Sequence, residues 1–296
     1  MPRLTAGTTP SIAPNVAGAR CPWLRCIIGI AFVGGGLSNL SAAASEERSR
    51  SILPISQTLC EDMNARGVLK PGAPVGCERL RLVKFDYVDF DGRIHDDGEI
   101  VVMDAAARYV LNIFVSLRRM RFPIAKARLM NEYNGNDDAS MADNNTSAFN
   151  VRDIVGGSTL SLHAYGLAID INPVQNPFAT KSGATWTFSP PTGAANANRL
   201  NNRPGKPNRS GMAEAVIDVF ADNGFLIWGG YWDEPLDYQH FQVSGKFAKQ
   251  LASLPPDAAE MAFAQHTGRY RICRRTRGQG AEGRVKCIVE ADSNGE

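Results

Sequence analysis

The sharpest periodicity in the chain falls over residues 167–172, where Leu167, Ile169 and Ile171 alternate with Ala168, Asp170 and Asn172. A period of two is that of a half-buried strand, and it sets the Asp170 carboxylate on the face away from the apolar contacts. A second stretch repeats the arrangement, with Phe241 and Val243 inward and His240 and Gln242 on the opposite side. Two strands of one sheet would then present Asp170 and His240 to a shared cleft, with His163 reaching in from the loop before the first strand. Gly166 suits the turn that leads from His163 into that strand. Upstream, residues 79–83 and 99–103 read as strands, and a short helical stretch surrounds Cys60. Val110, Phe114 and Leu117 recur at helical spacing, so a helix capped by Asp104 runs to about Met120 and ends at Pro123. Its Arg118, Arg119 and Arg121 suit a helix C-terminus.

Residues 211–223 read as a helix that stops at Gly224, and Ser244 caps another through Leu254. Between them and the first strand motif, residues 189–209 are rich in Pro, Gly, Asn and Arg and read as a long polar loop. Loops of this length are often lids or binding loops. Arg199, Arg203 and Arg209 could there meet an anionic substrate, although a solvated face is the simpler reading. Past Pro255 and Pro256 the chain becomes basic, with residues 270–273 and 284–289 forming a disulfide-stapled hairpin to which no chemistry is attached.

Arg3, Arg20 and Arg25 precede an apolar run over residues 27–40 that ends in small residues at 41–44. That is the order of a secretory signal peptide, residues 1–44, and the run is short for a transmembrane span. A retained anchor is the alternative, and Arg25 beside Cys26 argues against a lipoprotein site. Cys21 and Cys26 would leave with the signal. The other four of the 6 cysteines pair by position, Cys60 with Cys77 and Cys273 with Cys287, although four cysteines allow three connectivities. Each closed loop would contribute about 3 kcal/mol in the loop-entropy model. The 296 residues are 44% hydrophobic, enough for a core, and the net charge of +2 leaves no basic footprint for nucleic acid. The organisation expected is a signal over 1–44, an N-terminal extension over 45–97, a domain over 98–254 that holds both strand motifs, and a basic tail over 255–296.

Two imidazoles and one carboxylate, His163, His240 and Asp170, can close around a single Zn2+ and leave a coordination position open, the mark of a catalytic site. Only 4 His occur in the chain, and His95 and His266 match no motif. The plainer alternative makes Asp170 a turn cap and the histidines ordinary polar residues at strand ends. Asp237, three residues before His240, is a second carboxylate close enough in the chain to share the site, or to orient an imidazole. Residues 228–232, Trp-Gly-Gly-Tyr-Trp, would supply a core residue, Trp228, and an aromatic rim, Trp232. The pair Asp137 and Asp138 could line the cleft, although a solvated turn is the simpler reading.

Ser161-x-His163-x-x-Gly166-x-Ala168-x-Asp170, followed by Trp228-Gly229-Gly230, Trp232 and Asp237-x-x-His240-Phe241, resembles the M15 group of zinc peptidases. That group includes D-alanyl-D-alanine carboxypeptidases and L-alanyl-D-glutamate endopeptidases, and the resemblance runs from about Gly98 to Gly245. It implies that His163, Asp170 and His240 bind zinc and that Asp237 is the general base. It also makes Arg152, in the segment before the first motif, the group that holds a substrate carboxylate or carbonyl, and it suggests that Ser161 contacts substrate or braces the His163 loop. Carboxypeptidases of the group usually carry Glu where this chain has Asp237, so Asp-x-x-His-Phe resembles the endopeptidase branch. The fold implied is α+β, a small antiparallel sheet with flanking helices, as in the D-alanyl-D-alanine peptidase/hedgehog group. The expected activity is hydrolysis of peptidoglycan stem peptides in the periplasm or outside the cell. A carboxypeptidase that trims terminal D-alanine, and an inactive zinc-bearing domain that binds cell wall, are the competing expectations.

Overall fold

The computed structural model describes residues 50–293, apart from 202 and 279. The expected signal peptide, with Cys21 and Cys26, lies outside the described residues. The fold is α+β: helices flank three antiparallel sheets of three strands each among the described residues.

The first sheet has the order β1 (Ser51–Pro54), β2 (Leu80–Val88) and β3 (Ile94–Met103). A nine-residue helix, α1 (Gln57–Ala65), follows β1 and is tied by the Cys60–Cys77 disulfide to the turn that enters β2. On the sheet lies α2 (Asp104–Arg119), whose Val110, Ile113, Phe114 and Leu117 are buried along one stripe. Phe114 stacks on Phe85 of β2 at 3.6 Å. Burial of such side chains contributes roughly 1.5–3 kcal/mol each, which is why this amphipathic segment is helical and where it docks. The sequence placed Asp104 at the cap, whereas Met103 occupies that position and Asp104 is the first helical residue. The reason is tertiary: the buried Asp104 carboxylate receives Arg79 in two hydrogen bonds of 2.8 and 3.2 Å. The same guanidinium donates to the carbonyls of Leu251 and Leu254, at 3.2 and 3.0 Å, at the end of α5 (Gly245–Ser253).

The second sheet is small and holds Asp170 and His240. Its order is β4 (Ala168–Asp170), β9 (His240–Gln242) and β7 (Ile227–Trp228). Ile169 pairs with Phe241 and Asp170 with His240, and the apolar partners Leu167, Ile169, Ile171, Phe241 and Val243 are buried as the alternation required. The third sheet joins β8 (Leu236–Asp237) to a hairpin of β5 (Phe178–Ser182) and β6 (Thr185–Ser189), with Phe178 opposite Asp237.

Three expectations change. Residues 211–223 form a 3-10 turn (Ala213–Ala215) and a five-residue helix, α4 (Ile217–Ala221), rather than one helix. Their start is drawn into tertiary bonding: the Gly211 carbonyl accepts from Asn172 and Asn176, and the Ala213 N–H donates to Asn176. Arg199 does not face solvent or a ligand from the polar loop; it folds inward onto the Glu214 carboxylate at 2.6 and 2.7 Å and onto Asn176. The stapled hairpin of the tail is helical, α6 (Pro256–Arg277) and α7 (Ala281–Ser293), bridged by Cys273–Cys287. Tyr270 and Cys287 pack there against Leu226.

Arg79 ties the start of α2 to the end of α5 through a buried ion pair. Replacing it, as Arg79→Ala, strands the Asp104 carboxylate in the interior and should cost about 3–5 kcal/mol, read as a lower urea midpoint with an unchanged slope.

Candidate metal centre

His163 sits in a 3-10 turn (Leu162–Tyr165) that Ser161 caps, its Oγ accepting from the His163 N–H at 3.3 Å. Gly166 closes that turn with φ of +65°. A Cβ there would lie 2.6 Å from the Met103 nitrogen, and the Gly166 carbonyl accepts from that same Met103 N–H at 3.0 Å. Glycine is therefore required both for the left-handed backbone and for close docking on the first sheet. Asp170 and His240 face each other across β4 and β9.

These elements bring His163, Asp170 and His240 together, with one ligand atom of each inside 4.8 Å of the others, and all three are buried. His163 Nε2 lies 3.2 Å from His240 Nδ1 and 3.1 Å from Asp170 Oδ2, and His240 Nδ1 lies 2.9 Å from Asp170 Oδ1. Tetrahedral Zn–N bonds of about 2.0 Å imply ligand separations of about 3.3 Å, close to the 3.2 Å between the two imidazole nitrogens.

The outer nitrogens decide the matter further. His163 Nδ1 meets the Ala148 carbonyl, and His240 Nε2 meets Gln242 Oε1 at 2.7 Å. Both partners can only accept, so each imidazole must place its N–H outward. In the neutral tautomers the inner nitrogens then carry lone pairs that face each other, which repel unless a proton or a cation lies between them. A metal ion satisfies both lone pairs and the carboxylate at once, with each ring oriented by an outer acceptor as ligating histidines usually are.

The charges agree with this arrangement. Burial opposes ionisation of Asp170, but His163 and His240 overcome it and hold the carboxyl well below the usual range. Burial lowers the His240 pKa and the Asp170 contact raises it, the latter winning. Asp237 behaves oppositely: burial, and then the Asp170 charge, push it up to about 7, against the pull of His240 and Arg152. Its Oδ1 is enclosed and has no hydrogen-bond partner. Asp237 thus lies outside the three-residue cluster, with a carboxyl that burial and the neighbouring charge push towards its neutral form.

Around the cluster, the Trp232 ring lies 5.6 Å from His240 and is half-buried, while Trp228 is core and donates from Nε1 to the Tyr238 carbonyl at 2.8 Å. Ser161 is buried at the base of the His163 turn. The Arg152 backbone is anchored by the Ser161 N–H at 3.0 Å, and its side chain forms an ion pair with Asp137. His95 and His266 stand apart, the first bonded to Asp89 at 2.7 Å and the second packed on Phe247 at 4.3 Å. Sequence reasoning overlooked Ala148, which nothing local marked, and gave Gln242 a place on the His240 face without a role. It read Asp137 first as part of a solvated turn, with the cleft as the alternative. Gln242→Leu removes the acceptor that fixes the His240 tautomer and should weaken zinc affinity about 10- to 100-fold, measured by competition with a chromophoric chelator.

Residues 155–243 match the M15 peptidase family model described as D-alanyl-D-alanine carboxypeptidase. No curated protein and no solved structure matches the chain. The matched residues are less than a third of the chain, but they include Ser161, His163, Asp170, Asp237 and His240 and begin just after Arg152. The segment that builds this centre is therefore similar to the M15 peptidase family over residues 155–243.

Proposed function

We propose that the protein is a zinc-dependent peptidase that hydrolyses peptidoglycan stem peptides at the L-alanyl-D-glutamate bond. The observation that carries the reading is the pair of inward imidazole lone pairs closed by Asp170, with an enclosed, high-pKa carboxyl at Asp237 beside them.

Bound at His163, Asp170 and His240, zinc would polarise the scissile carbonyl and acidify the attacking water. The chain supplies the rest. Asp237 accepts the water proton through its enclosed Oδ1 and delivers it to the leaving amine. Ala148 and Gln242 keep both imidazoles in the tautomers that leave their inner nitrogens free. Arg152 holds a substrate carbonyl, and Trp232 lines the rim near His240. Ser161 holds the His163 turn from below and, on the family resemblance, lies within the substrate-binding segment.

Two observations favour an internal bond. Asp237 stands in an Asp-x-x-His-Phe arrangement, and the Arg152 charge is already compensated by Asp137, which suits a carbonyl better than a free carboxylate. The description of the matching family favours the second reading, a carboxypeptidase that removes terminal D-alanine. Export to the periplasm or beyond is supported by the N-terminal pattern and two disulfides. None of the described helices is long and apolar enough to cross a membrane.

Mass spectrometry of peptidoglycan digested by the protein, with and without chelator, separates the readings. Chelator-sensitive release of stems that lack their first L-alanine supports the endopeptidase; loss of terminal D-alanine alone supports the carboxypeptidase. Asp237→Asn should lower turnover about 100- to 10,000-fold with zinc content, read by atomic absorption, unchanged. Loss of zinc in that variant would instead make Asp237 a structural partner of the ligands. The base works only when ionised, so kcat/KM should fall as pH drops. Since the carboxyl lies at about 7 and a nearby dication favours its ionised form, the acid limb should sit at or below that pH and vanish from the residual activity of Asp237→Asn.

A further inference from the structure

We propose that Asp137 is a specificity-determining residue: by compensating Arg152, it directs that guanidinium towards uncharged peptide carbonyls and away from a substrate carboxylate. The proposal rests on the peptidase reading above.

The geometry places Arg152 at the edge of the centre. Residues 147–152 run along the metal ligands. Ser147 exchanges backbone hydrogen bonds with Asp170 at 3.0 and 2.9 Å, the Ala148 carbonyl takes the His163 ring, and the Asn150 N–H donates to the His163 carbonyl at 3.3 Å. Arg152 ends this run, bonded to Ser161, with a side chain 23% exposed. Its charge is felt at Asp237, as the effect on that carboxyl records. A substrate lying across His163, Asp237 and His240 therefore meets this cation.

Asp137 is not a mobile surface acid. It begins the short helix α3 (Asp137–Ala142), which Asn136 caps by accepting from the Ala139 N–H at 3.0 Å. Its Oδ1 accepts from Asn150 Nδ2 at 3.0 Å, and its Oδ2 pairs with Arg152 Nε. Asn150 itself is 1% exposed and also donates to the Gly135 carbonyl at 3.0 Å. The neighbouring Asp138 is exposed and takes no part. An anionic chain end at the edge of the centre therefore meets a guanidinium whose charge Asp137 already takes up. Removing the Asp137 charge leaves one uncompensated positive charge at the guanidinium, where bidentate binding of a carboxylate is strongest.

The test compares one stem peptide with a free C-terminal carboxylate and the same peptide amidated. Turnover is measured on the zinc-loaded full chain, and affinity for each peptide is measured separately by calorimetry. Asp137→Asn keeps an oxygen for Asn150 and should raise the carboxylate-over-amide preference about tenfold, mainly through KM, with zinc content unchanged. Asp137→Glu retains the charge and should keep the wild-type ratio. Arg152→Gln leaves Asp137 uncompensated and should move the ratio the other way, a check that does not depend on the Asp137 variants folding. An unchanged ratio in Asp137→Asn, or an equal shift in Asp137→Glu, overturns the proposal. If the wild-type chain cuts neither peptide, the peptidase reading fails, and the calorimetric ratio still decides the role of Asp137.

Discussion

Two imidazole nitrogens and a carboxylate held within 3.2 Å of one another in a buried site need a proton or a cation among them, because lone pairs and anionic oxygens otherwise repel in a low dielectric. Much of the molecule serves to hold that contact closed. The pairing of Asp170 with His240 depends on the register of β4 on β9, and a slip of one residue would turn the side chains of the slipped strand to the other face. That register is held by Ile169 and Phe241 on the buried face, where Phe241 stacks on Phe220 at 3.9 Å. His163 is locked from the other side by the Gly166 turn against Met103.

The same low dielectric separates the two carboxyls by role. Asp170 is surrounded by imidazoles and stays ionised, while Asp237 is buried near a like charge and is pushed towards neutrality. Two acidic side chains thus diverge in charge through environment alone. Arg152 and Asp137 extend this pattern outward as an ion pair.

Secondary structure was most legible where one period ran undisturbed. The helix of α2 and the strands read at residues 79–83, 99–103 and 167–172 follow apolar spacing, whereas the stretches 84–88 and 94–98, which lengthen the first two, carried no such signal. Legibility failed where polar side chains found distant partners. Asn172 and Asn176 took hold of Gly211 and Ala213 and broke a predicted helix, and Glu214 drew Arg199 inward from a loop that composition marked as polar. In the tail, the stapled cysteines predicted a hairpin but carried no signal that its arms were helical.

The ligand set shows the division most sharply. By itself the sequence marked the candidate groups, since strand alternation put Asp170 and His240 on the face away from the apolar contacts, with His163 on the loop before the first strand and Asp237 three residues before His240. Local pattern could determine this because side-chain direction along a strand is set by the backbone alone. Only the tertiary structure decided which nitrogen of each imidazole faces inward, because the Ala148 carbonyl lies 15 residues from His163 in the chain. Likewise, the 15 residues between Asp137 and Arg152 hide a contact that exists only once α3 packs beside the strand run at 147–152. Electrostatic character is a property of the neighbours that folding assembles, and no window of sequence contains them.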